Sequence, residues 1–487
     1  MRIPGVRNTK KYLVFLFIFL GGLTLNIWQI QFPKSVGWDV AGFLLTGRRL
    51  GENLELPLIS TFDNKPPLTF AYYAFPYLFN LDSANLLVVW QVLIVSLATT
   101  ICLMTSAKRL SNKTLAVVGI GFLAFFYSLP TSREWLTEIN VLLILSLVFL
   151  WWEKSDREDK CSYIVLGAIV AIGIFTRTNL IFLAVLLNVL FFIRAQKIHH
   201  ILFFNVSLLC FSFFITLPYV LTGNFHILFK GLVQIPLYSA AEFDFSYLIS
   251  KSSLVLILLP AIFLAAGLKS SIRVPNDFDR YIFLAVVSVA VLFGVLADHP
   301  HFAHHNLQLA IPALMCTLLA VEKFPLFQSS IFQIVALALC LLASTLGMKN
   351  EYQVARKDQS YETENLVVDK VSQFSAEVIC NRDKYLWAID LTYLNYRLNT
   401  NPVDPFMSAT NLINRPFIET YYGKGASFET ALREVVKSEP CLIVSPLNYG
   451  FLEKSQKLLL QEILKDNYSL KFRSEDLNIL VFELTKR

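Results

Sequence analysis

Residues 33–68, PKSVGWDVAGFLLTGRRLGENLELPLISTFDNKPPL, carry Asp39, Arg48, Arg49, Asp63 and Lys65 ahead of a rigid Pro66-Pro67 pair. A positioned carboxylate can take a proton from an attacking hydroxyl or amine. An ammonium or guanidinium can hold a phosphate and the negative charge that grows on it. Four other stretches bring similar groups. PTSREWLTE supplies Arg133, Glu134 and Glu138, and the TRTN turn supplies Arg177. Residues 222–253 supply His226, Lys230, Glu242 and Asp244, and DHPHFAHHNLQLAIPAL supplies His299, His301, His304 and His305.

Each group also has a plainer reading. Asp39 could cap an amphipathic helix over Val40–Leu50, a position that favours Asp. Lys65 could snorkel at an interface, and Arg48-Arg49 could meet lipid phosphates. Glu134 or Glu138 could pair with Arg133 at a helix start, and Arg177 could be an interfacial anchor. The histidine spacing H-x-H-x2-HH, without nearby acids on a helix, is no recognised zinc site. No metal site is therefore read. No cofactor is expected to be required, and a divalent metal is unsupported.

The elements that must position these groups are membrane helices. Residues of the types AVILMFWYC make up 55% of the 487, and 16% are charged. That balance over such a length is the signature of a polytopic α-helical membrane protein. The net charge of +6 does not point to nucleic acid, because Lys and Arg gather in short loops between apolar runs. A span needs ~20 apolar residues. The spans read are Tyr12–Phe32, Ala84–Ser106, Thr114–Leu129, Glu138–Trp152, Tyr163–Phe175, Leu180–Ile193, Ile201–Leu221, Leu254–Leu268, Tyr281–Ala297, Leu307–Val321 and Ile331–Met348, about eleven in all. The first follows Arg2, Arg7, Lys10 and Lys11 and is read as an uncleaved helix with its N-terminus in the cytoplasm. Leu68–Phe79 is short and is read as an interfacial helix. Tyr163–Phe175 and Leu180–Ile193 are kept apart because a single helix would bury Arg177 at mid-membrane. With that split the five charged stretches fall on one side, outside the cytoplasm.

From residue 349 apolar runs shorten to strand length. Val367, Val371, Phe374 and Val378 fall at helical spacing; Tyr385–Asp390 and Cys441–Ser445 read as strands. Phe428–Lys437 and Phe451–Leu464 read as helices, and Ser469–Arg473 with Asn478–Leu484 as a closing hairpin. The division expected is a membrane domain over 1–348 with a long first outer loop at 33–68, and an extracytoplasmic α/β domain over 349–487. No phosphate loop, metal spacing or nucleophile elbow occurs in that tail. Cys380 and Cys441 are its cysteines, and an outside location permits a disulfide between them.

An early loop aspartate followed by K-P-P, a second outer loop ending in an acid, and a T-R turn between short spans form an ordered pattern. So does H-x6-P, from His305 to Pro312, before the last spans. The pattern resembles the GT-C class of polyprenyl-phosphate-sugar glycosyltransferases, in the branch of protein O-mannosyltransferases and the lipid A aminoarabinose transferase. It covers roughly residues 12–348. The resemblance implies that Asp39 is the catalytic base and that Lys65, Arg177 and His305 bind the donor phosphate. Glu138 takes the place of the pattern's second-loop acid, and Asp63, Glu134 and Glu138 are read as positioning substrate. Val40 and Phe43 depart from the pattern, which often has a second acid and an aromatic hydroxyl there.

The function expected is transfer of a single sugar from a polyprenyl-phosphate carrier to an extracytoplasmic lipid, glycan or protein acceptor, with inversion. The expected partners are that donor, that acceptor and the lipid bilayer, with no nucleic acid. The setting expected is a bacterial inner membrane. The alternative is a transporter or flippase of a lipid-linked or anionic solute, which would place polar groups at the bilayer midplane on broken, repeated helices. Neither feature is found in the sequence.

Overall fold

The computed structural model describes residues 6–31, 38–59, 61–79, 84–129, 132, 137–155, 159–194, 198–235, 275–297, 303–357, 360–377, 386–400, 402–403, 405–406, 409–448, 450 and 452–485. In chain order the first helices are α1 (Val6–Gln31), α2 (Trp38–Asn53), α3 (Pro67–Ala74), α4 (Ala84–Ser106), α5 (Asn112–Phe126) and α6 (Glu138–Lys154). They continue with α7 (Lys160–Thr176), α8 (Ile181–Ile193), α9 (Ile198–Leu221), α10 (Phe225–Phe229), α11 (Pro275–Ala297), α12 (Ala310–Lys323) and α13 (Ser330–Lys357). Every span read from the sequence falls on one of these helices except Leu254–Leu268, which lies outside the described residues. Among the described residues five helices are long and apolar enough to cross a membrane, and four shorter ones are apolar. Leu68–Phe79 is a short helix followed by a 3-10 turn at Tyr77–Phe79.

The chain packs as two units. The first comprises Met1–Phe32, Ser83–Leu217 and Ser239–Val354. In it α4 lies against α1 and α6, α8 against α11, and α12 against α4, α6 and α11. Helix α12 is almost wholly enclosed, whereas α9 and α13 expose most of their apolar surface. At one end of this bundle, buried Arg280 donates to Glu153 and, at 2.7 Å, to Glu322. Arg109 adds contacts of 3.4 and 3.7 Å to the same two carboxylates. The end of α6, the start of α11 and the end of α12 are thereby tied together. Paired, hydrogen-bonded charges are the form in which buried ions are tolerated. Trp152 stacks on Phe283 at 3.9 Å just inside this network.

The second unit comprises Pro33–Asp82, Pro218–Tyr238 and Ala355–Arg487. The tail thus takes the long first loop as part of its own fold. After α14 (Ser360–Glu377) come β1 (Leu386–Ala388), α15 (Thr392–Leu398), α16 (Ala409–Ile413), α17 (Arg415–Tyr422), α18 (Phe428–Lys437), β2 (Leu442–Pro446), α19 (Lys454–Asn467), β3 (Tyr468–Ser474) and β4 (Ile479–Leu484). The sheet order is β1-β2-β4-β3, with β1 parallel to β2 and the other pairs antiparallel. Strand β2 is buried along its length, as its apolar run Leu442–Val444 requires of a central strand. Helix α18 begins in a capping box, Ser427 with Thr430, and buries Leu432, Val435 and Val436 on one face. Cys441 is disulfide-bonded; Cys380 lies outside the described residues.

The first loop is ordered by this tail. Phe62 is buried, its N–H donates to Pro405 O at 2.6 Å, and its ring meets Phe406, Phe417 and Tyr421. Tyr77 donates to Tyr396 at 3.0 Å. Within the loop α2 and α3 press so closely that a Cβ on Gly47 would stand 2.6 Å from the Tyr73 backbone. Arg48 pairs with Glu52 at 2.9 Å, and buried Arg49 lies 3.8 Å from Glu55. Acids of their own loop thus lie within reach of both arginines, for which the sequence alone offers lipid phosphates.

A buried acid–guanidinium–histidine cluster as candidate functional site

In the first unit the start of α6, the end of α7 and the segment before α12 converge at the end of the bundle away from Arg280. Helix α7 stops at Thr176 because Arg177 takes an extended conformation, and Thr178–Leu180 form a 3-10 turn before α8. The break therefore falls where the cost of Arg177 in one continuous helix predicts it. Helix α11 approaches this turn closely. A Cβ on Gly294 would meet Asn179 O at 3.1 Å and Asn179 Cβ at 3.3 Å, so any larger residue there would push the turn away.

Arg177 turns inward. Its Nη2 lies 2.8 Å from Glu138 Oε1, and its Nη1 donates to Thr137 Oγ1 at 2.7 Å. The Glu138 side chain is 0% exposed and that of Arg177 is 6% exposed. Glu138 thus pairs across helices with Arg177; Arg133 and Glu134, the other members of the local pairing considered above, lie outside the described residues. The plain anchor reading of Arg177 also fails, because an anchor would hold its guanidinium at the surface.

The segment Ala303–Leu309 is a 3-10 helix, in which residues three apart eclipse one another. His305 and Gln308 consequently share one side. His304 Nε2 and His305 Nε2 each lie 3.9 Å from Glu138 Oε1, and their rings meet edge to face at 4.5 Å. Gln308 accepts from Asn179 at 3.2 Å. Gln308 Nε2 and Asn140 Nδ2 are buried without a hydrogen-bond partner among the described residues. Buried amide donors left in that state ordinarily meet a ligand or an ordered water.

Three ligand atoms, one each from Glu138, His304 and His305, lie within 4.8 Å of one another. The reason given above against a metal, the want of an acid near the histidines, does not hold in the fold. Tetrahedral zinc nevertheless needs its donors about 3.4 Å apart, closer than the 3.9 Å found here. The Glu138 oxygen concerned is also the one paired with Arg177. A cation would have to share or displace that guanidinium.

The second unit holds the other candidates. Asp63 is 3% exposed, and its Oδ1 accepts the Asn64 N–H. The one-turn π-helix Lys230–Gln234 presses on the same residue, with Asp63 O 2.9 Å from where a Cβ of Gly231 would stand. Half-buried Lys65 donates to Asn64 Oδ1 at 3.1 Å, and Pro67 opens α3, where its missing N–H costs nothing. Lys230 donates to Thr420 O at 2.7 Å. Asp39 lies in the first turn of α2, which begins at Trp38. It is therefore a helical residue, which corrects its reading as the cap before Val40; its side chain lies outside the described residues.

Arg177, Glu138 and His305 thus come together in one unit, and Asp63 and Lys65 in the other. Sequence reasoning missed Thr137, Asn179 and Gln308 and gave His304 no role. The available signal was local: Asn179 belongs to the TRTN turn, and Gln308 stands three residues after His305.

No family model matches the sequence, and no curated protein matches it. Solved structures share the fold. The structure of ArnT from Cupriavidus metallidurans bound to undecaprenyl phosphate matches with a TM-score of 0.60 at 10% identity, over 99% of this chain and 98% of that one. Its apo form matches with a TM-score of 0.59 at 10% identity, over 96% and 97%. The chain therefore has the GT-C membrane fold that the K-P-P, T-R and H-x6-P pattern implied.

Proposed function

We propose that the chain is an integral-membrane glycosyltransferase. It moves one sugar from a polyprenyl-phosphate carrier to a lipid, glycan or protein acceptor outside the cytoplasm, with inversion at the anomeric carbon. The observation that carries this reading is the fold shared along almost the whole chain with ArnT, whose structure holds undecaprenyl phosphate.

A polyprenyl-phosphate sugar already has a serviceable leaving group, so the reaction needs two things from the protein. One is a base for the acceptor hydroxyl or amine, worth roughly 10²–10⁴ in rate. Asp39, in the first turn of α2, takes that role. The other is cationic stabilisation of the phosphate as the sugar bond breaks, which helps most where charge grows in the transition state. Lys65, Arg177 and His305 take that role, with His304 beside His305. Glu138 holds Arg177, whose guanidinium carries five N–H donors and can serve a carboxylate, a hydroxyl and an anion together. Asp63 keeps the Lys65 turn in shape, and Glu134 positions substrate. Direct displacement by the acceptor, with no covalent sugar intermediate, inverts the anomeric centre. A divalent cation held by Glu138, His304 and His305 is the lesser reading, because Arg177 already neutralises that carboxylate.

A transporter is disfavoured because the buried ionisable groups of the first unit gather at helix ends, Glu138 opening α6 and Arg177 closing α7. The disulfide at Cys441 fits a tail outside the cytoplasm, and the basic residues around Arg280 fit a cytoplasmic opposite end.

The test is reconstitution of the purified chain with a panel of polyprenyl-phosphate sugars and with envelope lipids, glycans or secreted proteins as acceptors. Transfer of one sugar with inverted configuration is expected. Retention of configuration would reject the displacement mechanism. Failure with every donor, together with movement of a lipid-linked solute across vesicles, would replace the enzyme by the transporter.

A further inference from the structure

We propose that a cleft between α5, α12 and α13 seats one acyl chain of an anionic diacyl phospholipid, with the headgroup at the end marked by Lys113 and Lys323. All three helices belong to the first unit. The cleft is a cavity of about 360 Å3 with an almost entirely apolar wall that includes Val117, Gly121, Phe125, Leu314, Phe332 and Leu337.

Its shape is that of a chain. Lining residues run from Val117 to Phe125 on α5, from Ala313 to Val321 on α12 and from Phe332 to Cys340 on α13. Each stretch rises about 12 Å along its helix axis, close to the roughly 15 Å depth of hydrocarbon in one leaflet. Val117, Val118, Gly121, Phe125, Leu337 and Cys340 are half-buried, so the cleft opens on the surface that meets lipid.

The cleft exists because α13 closes on α5 near its start and again further along, where a Cβ on Gly347 would stand 3.6 Å from Ser128 Cα, and stands off in between. Gln333 is buried and donates to Thr114 Oγ1 at 3.3 Å and to Phe327 O at 3.2 Å. Two turns further along α5, a Cβ on Gly121 would meet nothing but the tip of Leu337, at 3.9 Å. An unfilled gap of this kind forfeits dispersion contacts along both walls, and a hydrocarbon chain restores them.

Charge selects the headgroup. Lys113 is exposed one turn before Val117, and Lys323 follows Val321 by two residues. Glu322, the residue before Lys323, is engaged by Arg280 and Arg109. Basic groups at the mouth of a cleft between membrane helices attract anionic lipid. This mouth is at the Arg280 end of the bundle, the end opposite Glu138, because Arg109 precedes α5 and pairs with Glu153 at the close of α6. A phosphate held there is therefore not the phosphate of a sugar donor held at the Glu138 cluster.

The experiment is native mass spectrometry of the full-length protein after incubation with phosphatidylglycerol, phosphatidylethanolamine or polyprenyl phosphate. One phosphatidylglycerol is expected to stay bound, roughly tenfold preferred over phosphatidylethanolamine. Gly121→Leu, which fills the cleft without touching backbone, should abolish retention while thermal unfolding stays cooperative. Lys113→Glu with Lys323→Glu, on the rim, should erase the headgroup preference but leave an acyl chain bound. Wild type that retains no lipid, or Gly121→Leu that retains it unchanged, would overturn the proposal. So would polyprenyl phosphate held in place of phosphatidylglycerol, or a dimer that dissociates on Gly121→Leu.

Discussion

Replacement of Arg177 by Met, of Glu138 by Gln, and of both together separates a structural from a chemical role for this pair. In Arg177→Met the Glu138 carboxylate, 0% exposed, loses the guanidinium 2.8 Å away. Removing one partner of a buried ion pair typically costs about 3–5 kcal/mol. That corresponds to a roughly 10²–10⁴-fold shift in the unfolding equilibrium, at about 1.4 kcal/mol per decade. Glu138→Gln leaves the guanidinium with an amide oxygen and Thr137, and should cost less. The double variant removes both charges and should recover most of the stability lost in Arg177→Met. Unfolding of the purified protein, followed by temperature and by denaturing detergent, reads the stability side; single-turnover transfer reads the chemical side. If Arg177 meets donor phosphate, the double variant regains stability and not turnover. Strictly additive effects on stability would refute the buried-pair account. Wild-type transfer in the double variant would refute the phosphate role of Arg177.

Asp39→Asn keeps side-chain size and removes basicity. Transfer should fall roughly 10²–10⁴-fold with unfolding temperature unchanged, and near-normal transfer would reduce Asp39 to a helix-end residue. Lys65→Ala should lower transfer strongly and weaken retention of the polyprenyl-phosphate donor, measured by equilibrium binding, while insertion into the membrane is normal. Burial raises the Asp390 carboxyl above its ordinary value. The folded state therefore holds that proton more tightly than the unfolded state, and the associated stability is lost as pH rises through the raised value. Asp390→Asn should accordingly raise the unfolding temperature at pH 7 and make no difference below the ordinary carboxyl range; Asn also tolerates the positive φ of 56° found there. Mass mapping without reductant should find Cys441 in a disulfide.

The membrane part was legible because an apolar run of ~20 residues has few alternatives to a spanning helix. Even the break at Arg177 followed from one charge and its desolvation cost. The short runs of the tail were legible for a similar reason: the period of Phe428–Lys437 and the unbroken apolar Leu442–Val444 each fit one element. What escaped were contacts between residues far apart in sequence. Glu138 was read as a substrate-positioning acid or a partner of nearby Arg133, and its pairing with Arg177, brought by packing of α6 on α7, went unread. The metal argument failed the same way, since the acid beside His304 and His305 comes from another helix. Helix starts were blurred by one or two residues, enough to turn Asp39 from a cap into a first-turn residue.

Because the first loop belongs to the fold of the tail, it cannot finish folding when it is made. Phe62 leaves the ribosome about 340 residues before Phe406, which at roughly 5–20 residues per second means a wait of about 20–70 seconds. Throughout that interval Phe62 lacks the Phe406 and Phe417 rings that bury it in the finished chain. A chain truncated before Pro405 would keep α1 to α13 yet present Phe62 unburied to chaperones and proteases, and it should be cleared faster than a chain with a missense change on the surface of α19.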